Sequence, residues 1–100
     1  MATTSKALAR GAAATSSTTL YTVPASTTTV VTNIVVTNTA GSAGTFTLLL
    51  DDVSIATTVT VGAYDSTIID MKQVLATTKT IKGLASATTI NFHISGVEIA

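Results

Sequence analysis

His93 is the only imidazole in this 100-residue chain, and there is no cysteine. It lies in the run INFHIS, where Ile90, Phe92 and Ile94 fall on one side of an alternating pattern and Asn91, His93 and Ser95 on the other. A general base needs a partner within hydrogen-bond reach, and a metal site needs several ligands. With no second His or Cys, His93 reads as a surface strand residue. Asp51, Asp52 and Asp65 are the remaining oxygen candidates. Calcium takes about six to eight oxygens, often from alternating loop positions. Two adjacent acids diverge when extended, and no D-x-D-x-D spacing occurs, so Asp51-Asp52 reads as a tight turn. The same acids would have to serve a paired-carboxylate glycosidase. Tyr21, Phe46, Tyr64 and Phe92 are the only aromatics, too few for a sugar platform. Serine and threonine are abundant, but there is no G-x-S-x-G elbow and no G-x-x-x-x-G-K-[ST] loop. No catalytic residue, cofactor-binding residue or metal ligand is assigned, and the chain does not read as an enzyme.

Composition points the same way. Twenty-three residues are Thr, nine are Ser, and five basic side chains balance five acidic ones. The apolar content suffices for one modest core. So few cations argue against nucleic-acid binding, which needs clustered Lys and Arg. No stretch is long and apolar enough for a membrane span. The N-terminal run MATTSKALARGAAATSS has no apolar centre, so it does not read as a secretory signal. It does have the Arg, the serines and the lack of acids seen in some transit peptides. The first fifty residues carry a charge of +2, from Lys6 and Arg10, and the second fifty −2.

The elements that would carry these residues are strands. Residues 1–17 show no sustained apolar period and read as an extended N-terminal arm, mobile alone and ordered by a partner. From Thr18 the composition is β-branched, which suits a pleated surface. Strands are expected at 18–23, 27–38, 44–51, 53–56, 57–61, 66–70, 78–81 and 87–99, with one helical turn at Met71–Leu75. About eight short strands with turns every few residues predict an all-β domain over 18–100, an antiparallel β-sandwich or jelly-roll-like fold. Phe46, Leu48, Leu50, Val59, Val61, Ile68, Ile90, Phe92 and Ile94 are the expected core. Gly96 interrupts the last strand, and Val97 and Ile99 would share its apolar face only across a bulge.

Two long runs carry a resemblance. LYTVPASTTTVVTNIVVTNTAGSAGTFTLLLDDV, residues 20–53, resembles a recurring segment of small virion proteins of tailed bacteriophages. TIIDMKQVLATTKTIKGLASATTINFHISGVEI, residues 67–99, is similar, with its ID-x-K-Q-V-L, I-x-G-L-A-S and N-x-H-I-S-G-V-E patterns. Together they span about four fifths of the chain. The resemblance implies an accessory structural role without catalytic residues. The protein would be a capsid decoration (cement) protein on the virion surface, or a small β-domain of a tail or fibre that binds a host receptor. It also implies a homo-oligomer, with a trimer favoured, and the major capsid protein or another virion protein as partner.

The expected contact surface comes from the longest strand. Residues 27–38 are apolar on both faces, with Val31 and Val35 on the side opposite Val30, Ile34 and Val36. A strand of a lone sandwich should be polar outside. Leu49 adds an apolar residue to the polar side of the neighbouring strand. Val31, Val35 and Leu49 are therefore expected to form one interface, with Lys6 and Arg10 of the arm against an acidic neighbour. The rival expectation is that the arm or a loop covers this patch in a monomer.

Overall fold

The computed structural model describes residues 2–100 and contains eight strands. They are β1 (Thr3–Ala12), β2 (Thr18–Thr22), β3 (Thr28–Asn38), β4 (Gly44–Leu50), β5 (Val53–Val61), β6 (Ser66–Leu75), β7 (Thr80–Ala85) and β8 (Ile90–Ile99). Two four-stranded antiparallel sheets form, in the orders β1-β8-β3-β6 and β2-β7-β4-β5. The pairings β1·β8, β2·β7, β3·β6 and β4·β5 are those of one long folded-back hairpin. The lateral pairs β3·β8 and β4·β7 then roll it into two sheets. This is the order of a jelly roll, so the expected fold class holds.

The core lies between the sheets. Ile34 and Val36 of β3, Phe46, Leu48 and Leu50 of β4, Ile81 of β7, and Ile90, Phe92 and Ile94 of β8 are buried. Phe46 and Phe92 meet edge to face across the sheets, with centroids 6.2 Å apart. Of the expected core, Val59 is half-buried against the cluster. Ile68 is the exception: it points outward and is 66% exposed. Its neighbour Ile69 takes the inner position opposite Ile34. In an Ile-Ile pair alternation alone cannot choose the phase.

Three further expectations are corrected. Residues 3–12 are extended, but as β1 they are an integral edge strand paired with β8 from Thr3↔Ile99 to Ala12↔Asn91. Leu8 and Ala13 are buried in the core. The sandwich therefore begins near Thr3, and its backbone pairing substitutes for the apolar side chains β1 lacks. Met71–Leu75 is the second half of β6 and not a helical turn, because pairing with β3 continues to Leu75. The segments 53–56 and 57–61 are one strand, β5, bent by two register shifts against β4. Thr58 sits at positive φ there, its N–H donating to Thr47 Oγ1 at 3.0 Å.

β8 carries no bulge at Gly96; its neighbours do. β1 gains an extra residue at Leu8, beside Ile94-Ser95, and β3 one at Thr32, beside Ser95-Gly96. Gly96 faces inward, and a Cβ there would lie 2.4 Å from the Val30 carbonyl oxygen and 2.8 Å from Leu8 Cδ1. The missing side chain is what lets both neighbours close over β8. Val97 lies outside, opposite Val30 of β3.

Candidate functional surface

Two charged turns and one buried polar network account for most titratable groups. Asp51 and Asp52 both have positive φ, the geometry of a two-residue hairpin turn that Asp tolerates. Their carboxylates face β7: Lys79 lies 3.6 Å from Asp51 and Lys82 2.7 Å from Asp52. The Lys82 hydrogen bond holds the Asp52 carboxyl below the usual range. Asp65 is at the opposite end of the sandwich and accepts from the Ser66 N–H at 2.8 Å. The three acids do not converge, and among the described residues no group of three or more His, Cys, Asp or Glu is placed to hold a metal. Among those residues no helix is long and apolar enough to cross a membrane.

The buried network had no sequence signal beyond residue type. Tyr21 of β2 reaches across the sandwich and donates to the Glu98 carboxylate of β8, while the Thr29 hydroxyl lies 2.8 Å from its oxygen. Lys6 approaches the same carboxylate at 3.4 Å. Burial, then the Glu98 contact, pushes the Tyr21 phenol up, and the Tyr21 hydrogen bond holds Glu98 down. Lys6 thus serves β1 itself by pairing across to Glu98.

A second polar anchor is Asn38, buried at the end of β3. Its Nδ2 donates to the Ser42 carbonyl at 2.8 Å and to the Val61 and Gly62 carbonyls at 3.3 Å. Its Oδ1 accepts from the Ala40 N–H at 3.0 Å. One side chain thereby ties the 39–43 loop to the 62–65 loop, where Tyr64 stands 78% exposed.

The expected interface residues are not brought together. Val31 is buried, because the extra residue at Thr32 reverses the phase of β3 and turns Val31 inward with Ile34 and Val36. Val35 is half-buried on the outer face of the first sheet. Leu49 is half-buried on the outer face of the second, between Lys82 and Ser54. The thickness of the sandwich, about 10 Å between sheets, separates Val35 from Leu49. Arg10 projects from β1 opposite His93, which in turn lies opposite Val35.

What the structure does assemble on the outer face of the first sheet is two rows with apolar members, separated by the polar row Ser95, Asn33 and Asp70. One row runs Arg10, His93, Val35, Ile68 across β1, β8, β3 and β6. Another runs Val97, Val30, Val74 across β8, β3 and β6. Ile68 and Val74 are each 66% exposed, and no loop or strand of the described residues covers them. The outer face of the second sheet is richer in threonine: Thr19, Thr45, Thr47 and Thr60 lie around Leu49, Leu84 and Lys82, and its edge strand β5 exposes Val53 and Ile55. An open groove lined by Thr32, Asp70, Met71 and Lys72 borders β6. Compared with known proteins, the chain matches no family model, and no curated protein matches its sequence.

Proposed function

We propose that this protein is a structural component of a phage virion, a decoration protein that binds the capsid surface through the outer face of its first sheet. The observation that carries the reading is the pair of apolar rows on that face, Val35–Ile68 and Val97–Val30–Val74, with Ile68 and Val74 each 66% exposed, on a weakly charged jelly roll. Large apolar side chains exposed on one face of a small domain mark an interaction site. Jelly rolls recur in viral shells, and the residue patterns of 20–53 and 67–99 supply the phage context. The work done would be adhesive: each bridge between subunits buries apolar area at about 25 cal/mol per Å², repeated over a symmetric lattice.

The test is binding of purified protein to undecorated capsids. Val35→Lys places a charge within the patch, beside His93 and near Arg10, and should abolish occupancy while the fold persists. Full occupancy by this variant would overturn the assignment of the face. Copy number separates shell from tail: on the order of hundreds per particle fits a lattice, a handful does not.

A second reading, a tail or fibre domain binding a host receptor, has one observation in its favour. Tyr64 is an exposed aromatic on the loop cluster that Asn38 holds rigid, and aromatics anchor binding hot spots. Loss of cell adsorption in Tyr64→Ala, with capsid binding unaffected, would select it.

A further inference from the structure

Strand β6 is an edge strand, bonded to β3 on one side only. Its side chains alternate between core and solvent, although its register against β3 shifts at Met71-Lys72, opposite Thr32. Ile69, Met71 and Leu75 turn to the core, and Ser66, Ile68, Asp70, Lys72 and Val74 are exposed. The exposed row thus reads apolar, acid, base, apolar from Ile68 to Val74. Among the described residues neither Asp70 nor Lys72 takes part in an ion pair.

Charges on an edge strand ordinarily block pairing with another chain. Here the two charges are opposite in sign and two residues apart, so the row complements its own reverse. We propose that β6 pairs with β6 of a second copy, antiparallel, about a two-fold axis through Met71. In that register Asp70 of each copy faces Lys72 of the other, and Ile68 of each faces Val74 of the other. No other register does this. Moving the axis to Asp70 or Lys72 sets like charges opposite each other. Placing it between residues sets an outer side chain against an inner one, which the pleat forbids.

The product is one eight-stranded sheet with its outer faces on the same side. The Val97–Val30–Val74 row of one copy then runs on into the Ile68–Val35 row of the other, joining two half-patches into one. The other outer edges lack this property. β2 and β5 carry no charged residue, and the only charges of β1 are two cations, Lys6 and Arg10. The pairing is a closed two-fold contact, where the sequence resemblance implied a trimer. It stands on β6 alone, independent of any virion role.

Sedimentation velocity of the isolated protein, from micromolar to millimolar concentration, tests it. Wild type should form a dimer that salt weakens. Lys72→Asp and Asp70→Lys, each alone, place like charges opposite each other twice per dimer. Each should weaken association at least about tenfold with an unchanged melting temperature. The double variant Asp70→Lys/Lys72→Asp restores opposite pairing and should recover the dimer. A wild type that stays monomeric throughout, a dimer indifferent to single reversal, or a double variant no better than the singles would each overturn the proposal. If a single variant melts early, hydrogen exchange on wild type decides. Amides of β6 should gain protection as concentration rises, and flat protection refutes the pairing.

Discussion

Gly96→Ala probes the feature on which the first sheet most depends. The added methyl would stand 2.4 Å from the Val30 carbonyl oxygen and 2.8 Å from Leu8 Cδ1, where ordinary contacts begin near 3.4 Å. The carbonyl is backbone in the middle of the sheet, so about 1 Å of separation must come from moving β3 against β8. Two gains oppose the strain. Burying one methyl contributes about 0.8 kcal/mol, and restricting the unfolded chain contributes roughly 0.4–1 kcal/mol. Against them stand overpacking at about 1–3 kcal/mol and one or two weakened ladder bonds at about 0.5–1.5 kcal/mol each. The expected balance is a net loss of about 2 kcal/mol, which lowers Tm by roughly 8–16 °C in a domain this size. Thermal melting by circular dichroism measures it. Leu8→Ala in the Gly96→Ala background removes one of the two clashes and should recover none of the Val30 part. An unchanged or raised Tm in Gly96→Ala would mean that β1 and β3 do not close over β8 as described.

Further outcomes follow from the same packing. Phe46→Ala and Phe92→Ala should each cost about 3–5 kcal/mol in denaturant unfolding, and the double variant less than their sum, since the rings touch. Glu98 has a folded pKa below its ordinary value, so its contribution is present above the unfolded pKa and is lost as pH falls through the folded one. Tyr21 has a folded pKa above its ordinary value, so stability declines as pH rises past the phenol's normal range. Tyr21→Phe should therefore flatten both limbs of a stability–pH curve, leaving the parts of the acid limb due to Lys6 beside Glu98 and to the Asp52–Lys82 pair. Deleting residues 2–12 removes Leu8 and frees the edge of β8. The truncated chain should melt earlier and aggregate, which light scattering during the melt detects.

Where side chains alternate strictly, sequence predicts the structure well. In β4, Phe46, Leu48 and Leu50 fall inside and Thr45, Thr47 and Leu49 outside, as period two requires. Expectation fails where the phase is set by something period cannot see. An extra residue at Thr32, required by the close passage of Gly96, carries Val31 into the core. In β1 the backbone is held by β8 with only Leu8 buried, so its own residues show no apolar period. The expected and observed strand numbers agree for offsetting reasons: the sequence pattern shows no strand at β1 and two where β5 runs through the Thr58 kink. The outer patch was half visible. Val35 was expected on it, whereas Ile68 and Val74 belong to a segment read as core and helical turn. The Tyr21–Glu98 contact spans most of the chain, and no local pattern could have joined them.

The placement of β8 also governs when this protein can become folded. β8 lies between β1 and β3, and β1 has no other partner in its sheet. Until β8 has left the ribosome, β1 cannot bond and β3 offers one bare side, while Phe46 lacks the ring it packs against. Loop closure between strands so far apart in sequence is also slow to nucleate. Closure of the first sheet is thus expected to wait for β8. During that interval the bare side of β3, rich in valine and isoleucine, is the surface a chaperone would have to shield.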